Sequence, residues 1–382
     1  MHIVIVTGPF QPVPPAPGGA VERMWQELAE EFSAKNHTVT LLCRVHPDQL
    51  SDETIHGVRY VRRMQLMRST SIYKDIIKDL LYSFRMMVHI PSADIVVTNT
   101  FWLPILLTVF RRTPSKVVVN VNRMPKGQMC WYRKADRLVA VSNAIRDEII
   151  SQCPRVSPIV RLIPNPIDTN IFTSSHHARN FEGVLTILYA GRVHPEKGVH
   201  LLLEAFRKLC ETTSNIHLRI LGPTKIHLGG GGQEYLEELQ SLATGLSVEI
   251  SPPTFDKQEL AKAYQSAHVF CYPSLAEKGE SFGLAPLEAM ATGLVPVVSN
   301  LACFNDFVID ETNGLVFDHR ASTAATLLAE KLKALLNNPS KAAQMGKQAA
   351  EQAFRFGRER VAEQYLKDFK ELLSSTLTPD RA

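Results

Sequence analysis

Apolar residues along the chain fall into two kinds of run that alternate. Short β-branched runs such as HIVIVT (2–7), HTVTLLC (37–43), ADIVVTN (93–99), KVVVNV (116–121) and RLVAVS (137–142) read as strands. Most are separated by stretches with helical spacing of apolar positions, the first at 20–35. After residue 180 the rhythm restarts: LTILYAG, a helix near 198–212, IHLRILG, a helix near 233–243, then LSVEI, HVFCYP, LVPVVS and GLVF. A strand that is apolar on both faces needs cover on both, which implies parallel strands between helical layers. The repeated rhythm predicts an α/β protein of two doubly wound, Rossmann-like domains that face each other across a cleft.

The joint falls in the polar stretch PNPIDTNIFTSSHHARN (164–180), where helical spacing stops. We expect an N-terminal domain over 1–168 and a second over 169–357. Long helices follow near 321–336, 339–354 and 358–374, and FRFGRE (354–359) reads as a bend that returns segment 358–382 to the first domain. His176 and His177 lie in the joint without a carboxylate cluster, so they read as surface residues and no metal site is expected.

Composition is that of an ordinary globular protein, with 382 residues, 45% hydrophobic and 21% charged. The opening MHIVIVTGPF lacks a basic leader, and the most apolar run, FWLPILLTVF (101–110), is shorter than the ~18 residues that span a bilayer. Six scattered cysteines with no C-x-x-C pattern read as reduced thiols. The expectation is a cytoplasmic protein, either free or peripheral on the inner membrane face. Charge is uneven: residues 1–175 hold 21 Lys/Arg against 14 Asp/Glu, and within them 56–137 hold 15 against 4. Such a region is a solvated basic face or a contact for an anionic surface. It lacks a recognisable nucleic-acid motif, so no nucleic-acid partner is expected.

In doubly wound sheets ligands bind beyond the carboxyl ends of the strands, so the loops after strands carry the chemistry. The loop GPFQPVPPAPGGAVERMW (8–25) is stiffened by prolines until Gly18 and Gly19 turn it into a helix. Amides at that helix start suit an anion, although a plain turn would look the same. In YAGRVHPEKGVH (189–200), Arg192 follows a strand and Lys197 opens a helix; they are a diphosphate clamp or two surface cations. In GESFGLAPLEAMATGLVPVVSN (279–300), Pro286 and Gly293 bracket a helix over 284–292. Glu280 then lies in the preceding loop and Glu288 in the first turn, where it complements the helix dipole. The amides of Gly283 and Leu284 point out of that helix start and can hold phosphate oxygens.

These strings together resemble the retaining GT-B glycosyltransferases of family 4, the glycosyl transferases group 1, over nearly the whole chain. The carrying motifs are E-x7-E with SFG after its first Glu (Glu280, Phe282, Gly283, Leu284, Glu288), AGRVHPEKG, ADRLVAVS and IPNPID. The resemblance implies that Arg192 and Lys197 grip a donor diphosphate, Glu280 bonds sugar hydroxyls and Glu288 the ribose. It implies that Gly18, Gly19, Phe282, Gly283 and Leu284 complete the donor site, with the base near SPPTF (251–255). The donor is expected to be a nucleotide-sugar, with UDP the expected base carrier, and no cofactor or metal is implied. A sugar would pass to an acceptor hydroxyl with retention, a donor phosphate oxygen helping to take the proton. Alternatives on the same scaffold are a nucleotide-sugar epimerase or hydrolase, or a non-catalytic binding module. Where many family members have a histidine, VVVNVNRMPKG (117–127) offers Asn120 or Asn122. NRMPKG is similar to a segment of bacterial lipopolysaccharide-core glucosyltransferases, which implies acceptor-side roles for Asn122, Arg123 and Lys126.

The resemblance places acceptor choice in the first domain. There SIYKDIIKDLLYSFRMMVH (71–89) sets Ile76, Ile77, Leu80, Leu81 and Phe84 along a helical face. That face reads as a core face, or, with Arg59, Arg62, Arg63 and Arg68 nearby, as a dock on anionic lipid. The acceptor is expected to be a glycan or a lipid-linked glycan.

Overall fold

The structure is a computed structural model that describes residues 1–15, 19–110, 114–174 and 180–374. Gly18, His176 and His177 lie outside the described residues. The chain divides into two compact units, Met1–Pro166 with the segment from Arg358 on, and Ile167–Gly357.

The first unit runs β1 (His2–Val6), α1 (Ala20–Ala34), β2 (Thr38–Cys43), β3 (Asp52–Ile55), β4 (Val58–Arg62), α2 (Ile72–Met87), β5 (Ile95–Thr98), α3 (Leu103–Phe110), β6 (Lys116–Val121), β7 (Arg137–Ala140), α4 (Asn143–Gln152) and β8 (Val160–Leu162). Its sheet has the order β3-β4-β2-β1-β5-β6-β7-β8, parallel except for the β3–β4 edge pair. Strand order reverses at β1, between β2 and β5, and such a switch point opens a crevice beyond the strands' carboxyl ends. Ile3, Val4, Ile5 and Val6 are all fully buried, as a central strand covered on both faces requires. Helix α1 buries Trp25, Leu28, Ala29 and Phe32, the i, i+3, i+4, i+7 stripe.

The second unit runs β9 (Leu185–Ala190), α5 (Val199–Cys210), β10 (Ile216–Leu221), α6 (Gly232–Leu242), β11 (Val248–Ser251), α7 (Lys257–Ser266), β12 (Val269–Tyr272), α8 (Leu284–Ala291), β13 (Pro296–Ser299), β14 (Leu315–Phe317), α9 (Ala324–Leu336) and α10 (Pro339–Ala353). Its six strands are parallel in the order β11-β10-β9-β12-β13-β14, with the switch at β9.

The final helix, α11 (Arg358–Ser374), packs on α1 in the first unit. Tyr365 lies 5.3 Å from the Trp25 ring and Phe369 6.1 Å from Phe32. Polar ties hold the same helix to β6 and β7, Asn120 Nδ2 donating to Tyr365 Oη at 2.8 Å and Arg137 Nε to Asp368 Oδ1 at 3.0 Å.

Three expectations are overturned here. Helix α2 does not bury its apolar face: Ile77, Leu81 and Phe84 are exposed, while Asp79, Tyr82, Ser83 and Met86 are buried. The cause is Asp79, whose Oδ1 accepts the N–H groups of Phe101 at 3.1 Å and Trp102 at 3.0 Å, just before α3, and the Ser83 hydroxyl at 3.3 Å. That polar anchor turns the Asp79 face inward. Second, the cysteines are not all thiols. Cys130 and Cys153 pair as a disulfide with Cα atoms 5.2 Å apart, because the 3-10 turn Met129–Tyr132 lies against the end of α4. A separation of 23 residues without a motif hides this in the sequence.

Arg62, expected on the lipid-facing side, is instead fully buried. It pairs with Glu53 and donates to Val13 O from Nε at 3.1 Å and Nη2 at 2.9 Å, pinning the proline-rich loop after β1.

Candidate active site

In the second unit, the loops after β9 and β12 flank its switch point and carry most of the expected donor residues. Gly191 and Arg192 leave β9, and a 3-10 turn over Pro195–Lys197 follows. Lys197 therefore ends that turn rather than opening the helix. Gly198, at φ +68°, makes the corner into α5. The loops are stitched by Leu275 N–H donating to Glu196 O at 2.8 Å.

This stitching brings Lys197 to Glu280 although 83 residues separate them. Nζ lies 2.6 Å from Oε2, and the side chains are 4% and 11% exposed. Ser274 Oγ donates to the same oxygen at 3.1 Å, and Lys197 Nζ stands 5.8 Å from the Tyr272 ring, itself stacked on Tyr189. Burying a charge pair is tolerable only with this kind of extra hydrogen bonding. Arg192 points elsewhere: Nη2 pairs with Glu196 Oε1 at 2.5 Å and Nη1 donates to Gly229 O at 3.1 Å. Burial pushes the Glu196 carboxyl up, but Arg192, with Lys197 and His194, outweighs it and holds the group below its ordinary range.

Glu280 sits in the loop before α8, as expected. Gly283 is the N-cap at φ +92°, and no side chain caps the helix. A Cβ on Gly283 would lie 2.5 Å from Phe304. The helix start is thus left to main-chain N–H groups, the arrangement that suits phosphate oxygens. Glu288 differs from expectation: α8 begins at Leu284, so Glu288 lies in its second turn and not its first. The buried Tyr264 hydroxyl donates to Glu288 Oε2 at 3.2 Å. Burial, and then the Glu288 charge, push that phenol far up, so it donates as a neutral group. Phe282 is committed to the core, packed on Phe307 at 5.4 Å and Phe356 at 5.9 Å, and its ring anchors the loop.

The first unit holds a cavity of about 510 Å³ beyond the carboxyl ends of β1, β5 and β6. Gly8, Glu22, Asn99, Thr100, Asn122 and Arg123 line it. Gly19 caps α1, whose first turn carries Glu22, 9% exposed. Burial pushes the Glu22 carboxyl up, opposed by a backbone hydrogen bond and by the charges of Arg123 and Arg68. Asn122 Nδ2 donates to Asn99 Oδ1 at 3.2 Å, and Trp25 Nε1 donates to the same oxygen at 2.8 Å. Thr100 Oγ1, Asn120 Oδ1 and Asn122 Oδ1 are buried and accept or donate no hydrogen bond, and all three residues line the cavity. Buried polar atoms are normally paired, so a wall with three unpaired ones suits a ligand rich in hydroxyls. Each asparagine has its amide nitrogen held, Asn120 by Tyr365 and Asn122 by Asn99, which aims the carbonyl oxygens.

Sequence reasoning missed Ser274, Tyr189 and Tyr272 in one unit and Glu22, Asn99 and Thr100 in the other. Five of the six lie within two residues of a strand's carboxyl end, where Arg192 was found.

The family description "Glycosyltransferase Family 4" matches residues 17–171, and "Glycosyl transferases group 1" matches residues 172–352. A D-inositol 3-phosphate glycosyltransferase of Paenarthrobacter aurescens is 31% identical over 68% of this chain and 63% of its own length. A phosphatidyl-myo-inositol mannosyltransferase of Mycobacterium leprae is 28% identical over 84% of each. The chain thus spans under two thirds of the first of these relatives. A solved structure of Anabaena HepE, in complex with UDP and glucose, superposes with a TM-score of 0.72 at 16% identity, over 97% of this chain and 100% of that one.

Proposed function

Because this chain belongs to glycosyltransferase family 4, with the GT-B fold, we propose that it moves a sugar from a UDP-sugar to an acceptor hydroxyl. The observation that carries the reading is the buried Lys197–Glu280 pair beside the open start of α8, at the carboxyl ends of β9 and β12. It offers a cation and outward main-chain N–H groups for a diphosphate, next to a carboxylate for sugar hydroxyls.

In this reading Arg192, Lys197 and the amides of Gly283 and Leu284 take up the negative charge that grows on the leaving nucleotide. Charge stabilisation of this kind is a large term in transfer chemistry and needs no metal ion. Glu280 accepts from sugar hydroxyls, and Lys197 and Ser274 fix its direction. Glu288, oriented by Tyr264, accepts from the ribose. Neither carboxylate is a nucleophile: Glu280 is tied to Lys197 and Glu288 to Tyr264. Transfer then proceeds with retention, a donor phosphate oxygen accepting the acceptor's proton. The nucleotide-sugar is a co-substrate, and no cofactor takes part.

The acceptor is a glycan or lipid-linked polyol, held in the first unit's cavity by Asn122, Asn99, Thr100 and Glu22. The unpaired polar atoms there favour a transferase over a hydrolase or epimerase, neither of which needs a second polyol site. The inositol-based names of the two relatives agree with a polyol acceptor.

A thermal-shift panel of nucleotide-sugars in EDTA tests the reading, since a ligand that binds only the folded state raises Tm. A UDP-sugar should give the largest shift. No shift with any of them would remove the donor assignment.

A further inference from the structure

Helix α2 is folded inside out, and its outer face is not a random scatter of apolar residues. Tyr73 is 78% exposed, Ile77 59%, Leu81 56%, Phe84 42% and Val88 58%. At about 100° per residue these five fall within roughly 80° of arc, one stripe along a helix of about 24 Å. Lys74, Lys78 and Arg85 fall along one flank of that stripe. The two acids of the helix point the other way: Asp79 is buried under α3's first turn, and Asp75 accepts from Ser69 N–H at 2.8 Å with its side chain 16% exposed. The neighbouring helix α3 ends in exposed Val109 and Phe110, which widens the apolar area.

We propose that this face of α2 docks on an anionic lipid surface, with the stripe at the headgroup boundary and the cations on lipid phosphates. An apolar stripe flanked by Lys and Arg, with low overall hydrophobicity, is the pattern of a helix that lies in an interface. Charge decides between occupants. The stripe carries a cationic flank and no outward acid. In a two-fold contact between copies the same flank would meet itself, and like charges would repel. On α2 itself Lys78 also reaches Asp75 Oδ1 at 3.9 Å, while Lys74 and Arg85 are exposed; elsewhere in the basic region 56–137 several cations are already engaged. Arg62 is buried, and Arg63, Lys116 and Arg137 are paired with Asp52, Asp136 and Asp368. Among the described residues no helix is long and apolar enough to cross a membrane, so contact would be by this surface. The inference stands independently of the transferase reading.

The test is co-sedimentation of the full chain with vesicles of phosphatidylglycerol and phosphatidylcholine, against pure phosphatidylcholine, at low and high salt. The wild type should pellet with the anionic vesicles and release in high salt. Leu81→Glu, and separately the pair Lys74→Glu and Arg85→Glu, should each reduce binding by roughly tenfold or more, since each surface charge contributes about 1 kcal/mol. These positions are exposed, so Tm should not change. Val184→Glu, at an exposed site in the second unit, should bind as wild type. Failure of the wild type to pellet at low salt overturns the proposal, as does equal pelleting by Leu81→Glu. A shift by Leu81→Glu from dimer to monomer in light scattering, with no pelleting, would assign the face to a second copy instead.

Discussion

Glu280 and Glu288 lie eight positions apart yet share no helix face, and their partners differ. Glu280 meets Lys197 and Ser274, whereas Glu288 meets Tyr264. The proposed function gives them opposite ends of one donor, so their loss should read differently. Glu280→Ala should lower kcat by roughly 10², the cost of losing a group that positions the sugar, and should loosen sugar choice. Glu288→Ala should chiefly raise the donor KM, by roughly tenfold or more, because a hydrogen bond to a charged group is worth about 1.5–3 kcal/mol. Steady-state kinetics on both variants checks the split, and identical defects would undo it. At this scale the sequence was legible where a residue's place depends on its own loop, as Arg192 does after β9 and Glu280 before α8. It was not legible where the role depends on a distant partner. Nothing near Phe282 signals that its ring packs on Phe307 and Phe356, and nothing near Glu288 signals Tyr264.

Elements followed their local signals closely. Pro286 and Gly293 bracketed a helix at 284–292 that forms over Leu284–Ala291, and the periodic run at 339–354 forms Pro339–Ala353. Helix α2 escaped because the residue that orients it, Asp79, bonds main chain 22 and 23 residues away. Apolar spacing alone would have buried the opposite face. The corner at Gly198 shows how an element boundary sets the site. Its φ of +68° disfavours a side chain, and a Cβ there would stand 2.1 Å from Pro273 O, in the loop that presents Ser274 and Glu280. Gly198→Ala should therefore cost about 1–3 kcal/mol from overlap and move Lys197 relative to Glu280. Thermal melts and donor titration together check this. An unchanged Tm with unchanged donor affinity would contradict it.

For the whole molecule, two tandem doubly wound units were readable from the twice-repeated strand–helix rhythm, because parallel strands covered on both faces leave continuous apolar runs. The cavity in the first unit was not, since its walls come from loops after three strands that are far apart in sequence. Its buried Glu22 has a consequence for stability. Burial raises the carboxyl's pKa in the folded state, so ionised Glu22 is disfavoured there. Below the unfolded value of about 4.3 the group is neutral in both states and costs nothing. The cost appears as pH rises through that value and levels off above the raised folded value. Glu22→Gln should accordingly gain Tm over wild type between acid and neutral pH, with no gain at the acid end. A constant difference at every pH would contradict a raised Glu22.

In the proposed function the second unit binds the diphosphate of a UDP-sugar through side chains and main chain alone. Calorimetric titration of UDP in EDTA, on wild type and Arg192→Ala, tests it most directly. Arg192 is 43% exposed, so its removal should leave the fold intact. We expect the wild type to bind and Arg192→Ala to bind roughly tenfold or more weakly, the loss of a charge-assisted bond of about 1.5–3 kcal/mol. Absence of UDP binding by the wild type, or equal affinity in the variant, would contradict the account.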